Sequence, residues 1–150
     1  MSLLHGCELP EHLHYDVPNH IWYEVLDLTR IRMGMTSVAI GLADNRIFAF
    51  TPKRPGRDLE KGRSFATIES SKWIGPARAA FDGIVLEAND DLIDKPSMLV
   101  RDPYVQGWMI LARPTAADPL VGLVSGTEML QAYDDWMRDN NFGGCQDAAP

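Results

Sequence analysis

Residues 64–77, Ser64-Phe65-Ala66-Thr67-Ile68-Glu69-Ser70-Ser71-Lys72-Trp73-Ile74-Gly75-Pro76-Ala77, decide how this chain is read. Ser64 to Glu69 is rich in strand formers. It runs into Ser70-Ser71-Lys72, where it turns, and Trp73 to Ala77 leads away again. Two strands joined by a short polar segment form a hairpin with Lys72 at its tip. Ser70 and Ser71 read as turn residues, because small hydroxyl side chains bond to nearby backbone. With no neighbouring base in sight they do not read as nucleophiles. A single lysine is most often just a solvated surface residue. A lysine held at a rigid bend is also what a carrier needs, since an acyl group joined to its amine then swings from a fixed root.

The same rhythm continues on both sides of the hairpin. Ile21-Trp22-Tyr23-Glu24-Val25-Leu26 and Ile31-Arg32-Met33-Gly34-Met35 read as strands, the second by its alternation of apolar and basic residues. Thr36 is placed to cap a short helix through Ser37-Val38-Ala39-Ile40. Asp44-Asn45 makes a turn before a strand at Arg46 to Phe50, and Lys53-Arg54-Pro55-Gly56 and Lys61-Gly62 make two more. A break is expected at Phe81-Asp82-Gly83, because Asp-Gly tolerates positive φ. Further strands are expected at Ile84 to Ala88, Met98 to Val100 and Trp108 to Ala112. Many short strands between turns predict a mainly β sandwich or barrel. A faint repeat relates the stretch from Ile47 to Phe65 to that from Ile84 to Leu99. Near the carboxyl end, Ser125 and Glu128 have capping-box spacing. Met129, Leu130, Tyr133, Trp136 and Met137 then recur at helical spacing. A helix over about 126–140, packed on the sheets, is expected, with a loose tail after Phe142.

Bulk properties exclude several functions. The 150 residues suit a single domain, 1–150, able to bury a core without staples. A balance of 14 basic to 21 acidic residues, net −7, lacks the basic face that nucleic-acid binding needs. No apolar run is long enough for a membrane helix. Met1 to Pro10 does not have the build of a signal peptide, which points to the cytoplasm. There Cys7 and Cys145 are expected as reduced thiols. If the two ends of the chain lie close together, a disulfide or redox pair stays open. His5, His12, His14 and His20 cluster in the first twenty residues, but without ligand spacing, so no metal is expected. With no phosphate loop, no Gly-X-Ser-X-Gly and no paired catalytic carboxylates, nothing suggests an independent enzyme.

The chain resembles the glycine cleavage H-protein family from about Tyr15 to Leu111. The resemblance is carried by His20-Ile21-Trp22, Gly34-Met35-Thr36 with Ala39, Lys61-Gly62 and Ile68-Glu69-Ser70-Ser71-Lys72. Downstream it is carried by Gly83, Glu87-Ala88-Asn89, Pro96 and Asp102-Pro103-Tyr104-Val105-Gln106-Gly107-Trp108. The resemblance implies a lipoyl-domain-like barrel-sandwich hybrid of two antiparallel sheets, with lipoic acid covalently attached to Lys72. Glu69 would be read by the lipoate ligase or other lipoylating enzyme, and Gly83 matches the family's turn glycine. There are departures. Trp73 follows the lysine where small residues are usual, Ala80 stands where a proline is usual, and Val105 replaces a glycine. The family's glycine-aspartate after the short helix is shifted or lost at Asp44-Asn45. Lys72-Trp73-Ile74-Gly75-Pro76 is similar to the H-protein-like lipoate-binding proteins of bacterial sulfur oxidation. That likeness implies sulfur intermediates carried to a cytoplasmic heterodisulfide-reductase-like complex. The alternative is the aminomethyl shuttle of glycine cleavage, working with the glycine cleavage enzymes. Dihydrolipoamide dehydrogenase is an expected partner, and Trp73 a candidate docking residue. A biotin carrier, which typically presents its lysine between methionines, fits Ser71 and Trp73 poorly. An unmodified module that has kept the fold and lost the cargo is a further alternative.

Overall fold

The chain starts as a two-stranded antiparallel ribbon, β1 (Ser2–Leu4) and β2 (Cys7–Leu9), turned at His5-Gly6 with positive φ at both residues. Strands this short carry too few positions to show a period, so the sequence does not announce them. The computed structural model describes residues 2–145. After the ribbon come β3 (His14–Asp16), β4 (Ile21–Asp27), β5 (Arg30–Met35), α1 (Ser37–Leu42) and β6 (Ile47–Pro52). Then follow β7 (Asp58–Leu59), β8 (Ser64–Ser70), β9 (Ile74–Arg78), β10 (Gly83–Ala88), α2 (Asp91–Asp94), α3 (Met98–Arg101), β11 (Ile110–Pro114) and α4 (Gly126–Asp139).

The fold is mainly β. An antiparallel sheet of order β3-β4-β5-β11-β10-β7 faces a three-stranded antiparallel sheet of order β6-β8-β9, and the sheets do not close into a barrel. Both sheets turn apolar residues into one core: Met33, Val85 and Ile110 from the first, Phe50, Phe65 and Ile68 from the second. A second cluster lies under α4, where Met129, Tyr133 and Met137 meet Leu9, Leu13, Tyr15 and Trp22. The helical stripe is therefore core, and each such side chain buried contributes about 1.5–3 kcal/mol.

Trp22 explains two of the quoted matches. It is fully buried and pairs across the ladder with Gly34, where an added Cβ would lie 2.7 Å from its ring. Its Nε1 donates to the Pro103 carbonyl at 3.0 Å. The Asp102–Trp108 segment is a turn whose Tyr104 hydroxyl accepts from the Ser37 amide at 2.9 Å and so fixes the start of α1. Asn89 donates to the Gln106 and Trp108 carbonyls at 2.9 and 2.8 Å, tying the end of β10 to the same turn.

Several expectations are corrected. Met98–Val100 is helix, not strand: Arg101 N–H bonds to Ser97 and Asp102 N–H to Met98, so its backbone is satisfied locally and needs no ladder. The proposed repeat fails for the same reason, since β10 is followed by α2 and α3 where β6 is followed by β7 and β8. The Ser125 side chain makes no capping bond; Gly126 takes positive φ instead, and its N–H reaches the Glu11 carbonyl. Gly83 is not a positive-φ turn residue. It opens β10 pressed against β11, where a Cβ would lie 2.6 Å from the Arg113 carbonyl oxygen. The last strand begins at Ile110 rather than Trp108. Finally, Gly143 to Cys145 are not loose: Cys7 and Cys145 form a disulfide with Cα atoms 4.8 Å apart. The rest of the expected loose tail, 146–150, lies outside the described residues. No helix among the described residues is long and apolar enough to cross a membrane.

Candidate functional site

Ser71, Lys72 and Trp73 form the tip between β8 and β9. Ser70 closes it. Its amide and its hydroxyl both donate to the Trp73 carbonyl at 2.9 Å, while its Oγ accepts from the Lys72 amide at 3.3 Å and the Trp73 amide at 3.1 Å. One hydroxyl thus serves three backbone groups of two tip residues, the Lys72 amide and the amide and carbonyl of Trp73. Ser71 anchors the tip sideways: its amide donates to the Arg46 carbonyl at 3.2 Å and its hydroxyl to the Ala43 carbonyl at 3.2 Å. Ala43 ends α1, so that helix buttresses the turn. Asp44 and Asn45, both at positive φ, bend the chain from α1 into β6.

Lys72 is exposed, and it makes no ion pair with a described residue. A primary amine so presented is free to be acylated. Losing its charge to an amide strands no carboxylate partner. The residues therefore fit a covalently attached acyl group such as lipoic acid.

Glu69 is exposed on the outer face of β8, opposite Ala49 on β6 and Ile74 on β9. It lies three residues before Lys72, and both side chains are exposed. Trp73 is half-buried and packs against the main core, so part of the ring serves the fold rather than a surface. The remainder lines a cavity of about 180 Å³ with Pro18, His20, Leu42 and Pro76. Pro76 sits on β9, an edge strand, where a residue without an N–H blunts further pairing. Gly83 lies across the sandwich in the other sheet and supports the architecture, not the tip.

His20 is the site-lining residue that motif reading left without a role. It has positive φ, stacks on Tyr133 at 5.9 Å and meets the Trp136 ring edge-on at 4.4 Å. Burial lowers its pKa to about 4, keeping the imidazole neutral. Its partners lie more than a hundred residues away, so no local signal points to them. The other histidines are dispersed: His5 bonds Asp134 at 2.8 Å and His12 lies 3.9 Å from Glu24. Among the described residues no three His, Cys, Asp or Glu side chains converge on one point.

Comparison with known proteins agrees with this architecture. Residues 13–136 match the family model of the glycine cleavage H-protein. Glycine cleavage system H protein 5 of Aquifex aeolicus is 40% identical over 139 residues, covering 87% of this chain and 93% of that protein. H protein 2 of the same organism is 35% identical, covering 92% and 87%. Probable glycine cleavage system H protein 2 of Sulfolobus acidocaldarius is 34% identical, covering 84% and 85%. The crystal structure of an H protein from Mycobacterium marinum shares the fold, with a TM-score of 0.74 at 24% identity over 84% of this chain and 99% of that one. An exposed lysine on a braced hairpin and a match across most of the sequence lead to one conclusion: the chain belongs to the glycine cleavage H-protein family.

Proposed function

We propose that the protein is a non-catalytic lipoyl carrier of the cytoplasm, with lipoic acid joined to Lys72 through an amide. The observation that carries this reading is the exposed Lys72 amine, without an ion-pair partner among the described residues, at the tip braced by Ser70 and Ser71. The bound group would supply a dithiolane for thiol–disulfide chemistry in other enzymes' active sites. This chain's residues hold the root of the arm still, and Glu69 offers a charge that a lipoate ligase recognises. Incubation with lipoate, ATP and a lipoate ligase adds one lipoyl mass to the wild type and none to Lys72→Arg. Acceptance of the group by the arginine variant would overturn the assignment.

For the cargo, the Lys72-Trp73-Ile74-Gly75-Pro76 segment favours sulfur intermediates handed to a heterodisulfide-reductase-like complex, with Trp73 shaping the surface beside the arm. Relatives numbered 2, 3 and 5 in one organism suit a family whose copies have divided their work. The names of those relatives favour the second reading, an aminomethyl shuttle for glycine cleavage. Either use needs a dihydrolipoamide dehydrogenase or an equivalent electron acceptor. Adding the lipoylated protein to glycine decarboxylase and its companion enzymes separates the two: sustained glycine turnover selects the second reading, and its absence with an intact arm selects the first.

A further inference from the structure

We propose that Cys7 and Cys145 form a second thiol–disulfide site, which exchanges with dithiols of the reduced lipoyl class and latches the two chain ends together. Both cysteines lie outside the stretch 13–136 that matches the family model. The two residues are unlike. Cys7 is fully buried among apolar neighbours, while Cys145 is half-buried. Of the two, Cys145 is the one we assign as the point of attack.

The junction is built to hold the tail in register. The Cys145 amide donates to the His5 carbonyl at 3.0 Å. Gly6 and Gly144 both have positive φ, and a Cβ on either would overlap the other segment's backbone, Gly6 with the Cys145 carbonyl and Gly144 with that of His5. Two glycines thus allow a backbone approach that no other residue permits. Beside it lies a cavity of about 510 Å³ lined by His5, Asp134, Arg138, Phe142 and Gly143, residues that flank the junction on both chain ends.

The pair and the turn that bears the carrier lysine both contact α1. A Cβ at Gly41 of α1 would lie 3.7 Å from Cys145 Sγ. Two residues further along, Ala43 holds Ser71, an advance of roughly 3 Å along a helix. One short helix separates the disulfide from the turn that bears Lys72. Disulfides in a reducing compartment are mostly transient redox devices; the choice of a lipoyl-class dithiol rests on the proposed attachment at Lys72.

One thiolate of the dithiol attacks Cys145 Sγ, the bond to Cys7 breaks, and Cys7 leaves as a thiolate that takes up a proton. The second thiol of the reagent then attacks its own sulfur in the mixed disulfide, closes the dithiolane and releases Cys145, which is protonated in turn. Two electrons and two protons pass from the dithiol to the cysteine pair.

The test uses the full-length Lys72→Arg protein with free dihydrolipoamide, so its result is independent of attachment at the lysine. Alkylation followed by intact mass should show no adduct before treatment and one afterwards on Cys145 of the folded protein, with a second, on the buried Cys7, only when the treated protein is denatured before alkylation. Excess oxidised lipoamide should close the pair again. Dihydrolipoamide should act about tenfold faster than a monothiol at equal thiol concentration, because its second step is intramolecular. Cys7→Ser should capture oxidised lipoamide as a mixed disulfide on Cys145, while Cys145→Ser, whose remaining thiol is buried, should not. A disulfide that dihydrolipoamide leaves intact until the protein is denatured overturns the proposal. So do two free thiols that lipoamide cannot close, or equal capture by both variants.

Discussion

The Ser70 hydroxyl does as much for the lysine turn as the lysine does for its chemistry. Its Oγ bonds the Trp73 carbonyl and both following amides. Ser70→Ala should leave those amides to water and loosen the tip, costing about 1 kcal/mol in stability. It should also slow ligase-catalysed acylation of Lys72, a loss visible in the rate of lipoyl mass gain. A variant acylated at the wild-type rate would show that the brace is dispensable. Glu69 carries a different expectation. It is exposed and its side chain makes no ion pair with a described residue, so Glu69→Gln should unfold at the wild-type temperature yet raise the carrier concentration needed for half-maximal acylation. Trp73 divides its surface between core and cavity, so its replacement tests packing and docking together.

Elements impose their own constraints. His20 lies between β4 and α4, its imidazole packed on Tyr133 and Trp136. In the unfolded chain it takes a proton near 6.5; in the fold it does so only at about 4. Between these values the unfolded state binds more protons, so stability rises with pH and falls as pH drops from about 6.5 towards 4. The slope contributed by one such group approaches about 1.4 kcal/mol per pH unit. His20→Asn, which tolerates the positive φ, should flatten the difference in denaturation midpoint between pH 7 and 4.5. An unchanged difference would assign the acid sensitivity to other groups. Where β4 crosses β5, Gly34→Ala should push a methyl into the Trp22 ring and cost about 1–3 kcal/mol, read as a lower denaturation midpoint with the fold retained.

Over the whole molecule, the disulfide is the longest-range constraint, joining residues separated by 138 positions. Closing so large a loop removes chain entropy from the unfolded state, about 5 kcal/mol in the loop-closure model, and measured values for disulfides more often lie near 2–4 kcal/mol. Dithiothreitol should therefore lower the thermal midpoint by on the order of 10 °C, with Cys145→Ser matching the reduced wild type. A midpoint insensitive to reductant would mean that the second core cluster alone holds the ends. That cluster unites β2, β3, β4, α1 and α4, so the tail is pinned by packing as well as by sulfur. The net charge of −7 adds a field suited to partners with basic docking faces.

What could be read in the chain alone was whatever repeats at short range. The strand–turn–strand rhythm around Lys72, the Thr36 cap of α1 and the apolar stripe of α4 each depend on neighbours within a few residues, and each is present in the fold. Family likeness added the reason to single out one lysine. What only tertiary structure decided are meetings between distant segments: Ser71 with Ala43, His20 with Tyr133, Gly83 with Arg113 and Cys7 with Cys145. Met98–Val100 belongs to the same class, because three apolar residues suit a strand or a turn of helix equally until a partner strand is present or absent. Local spacing sets which hydrogen bonds a segment can make with itself; which surfaces it then buries depends on the rest of the chain, and no window of sequence contains that.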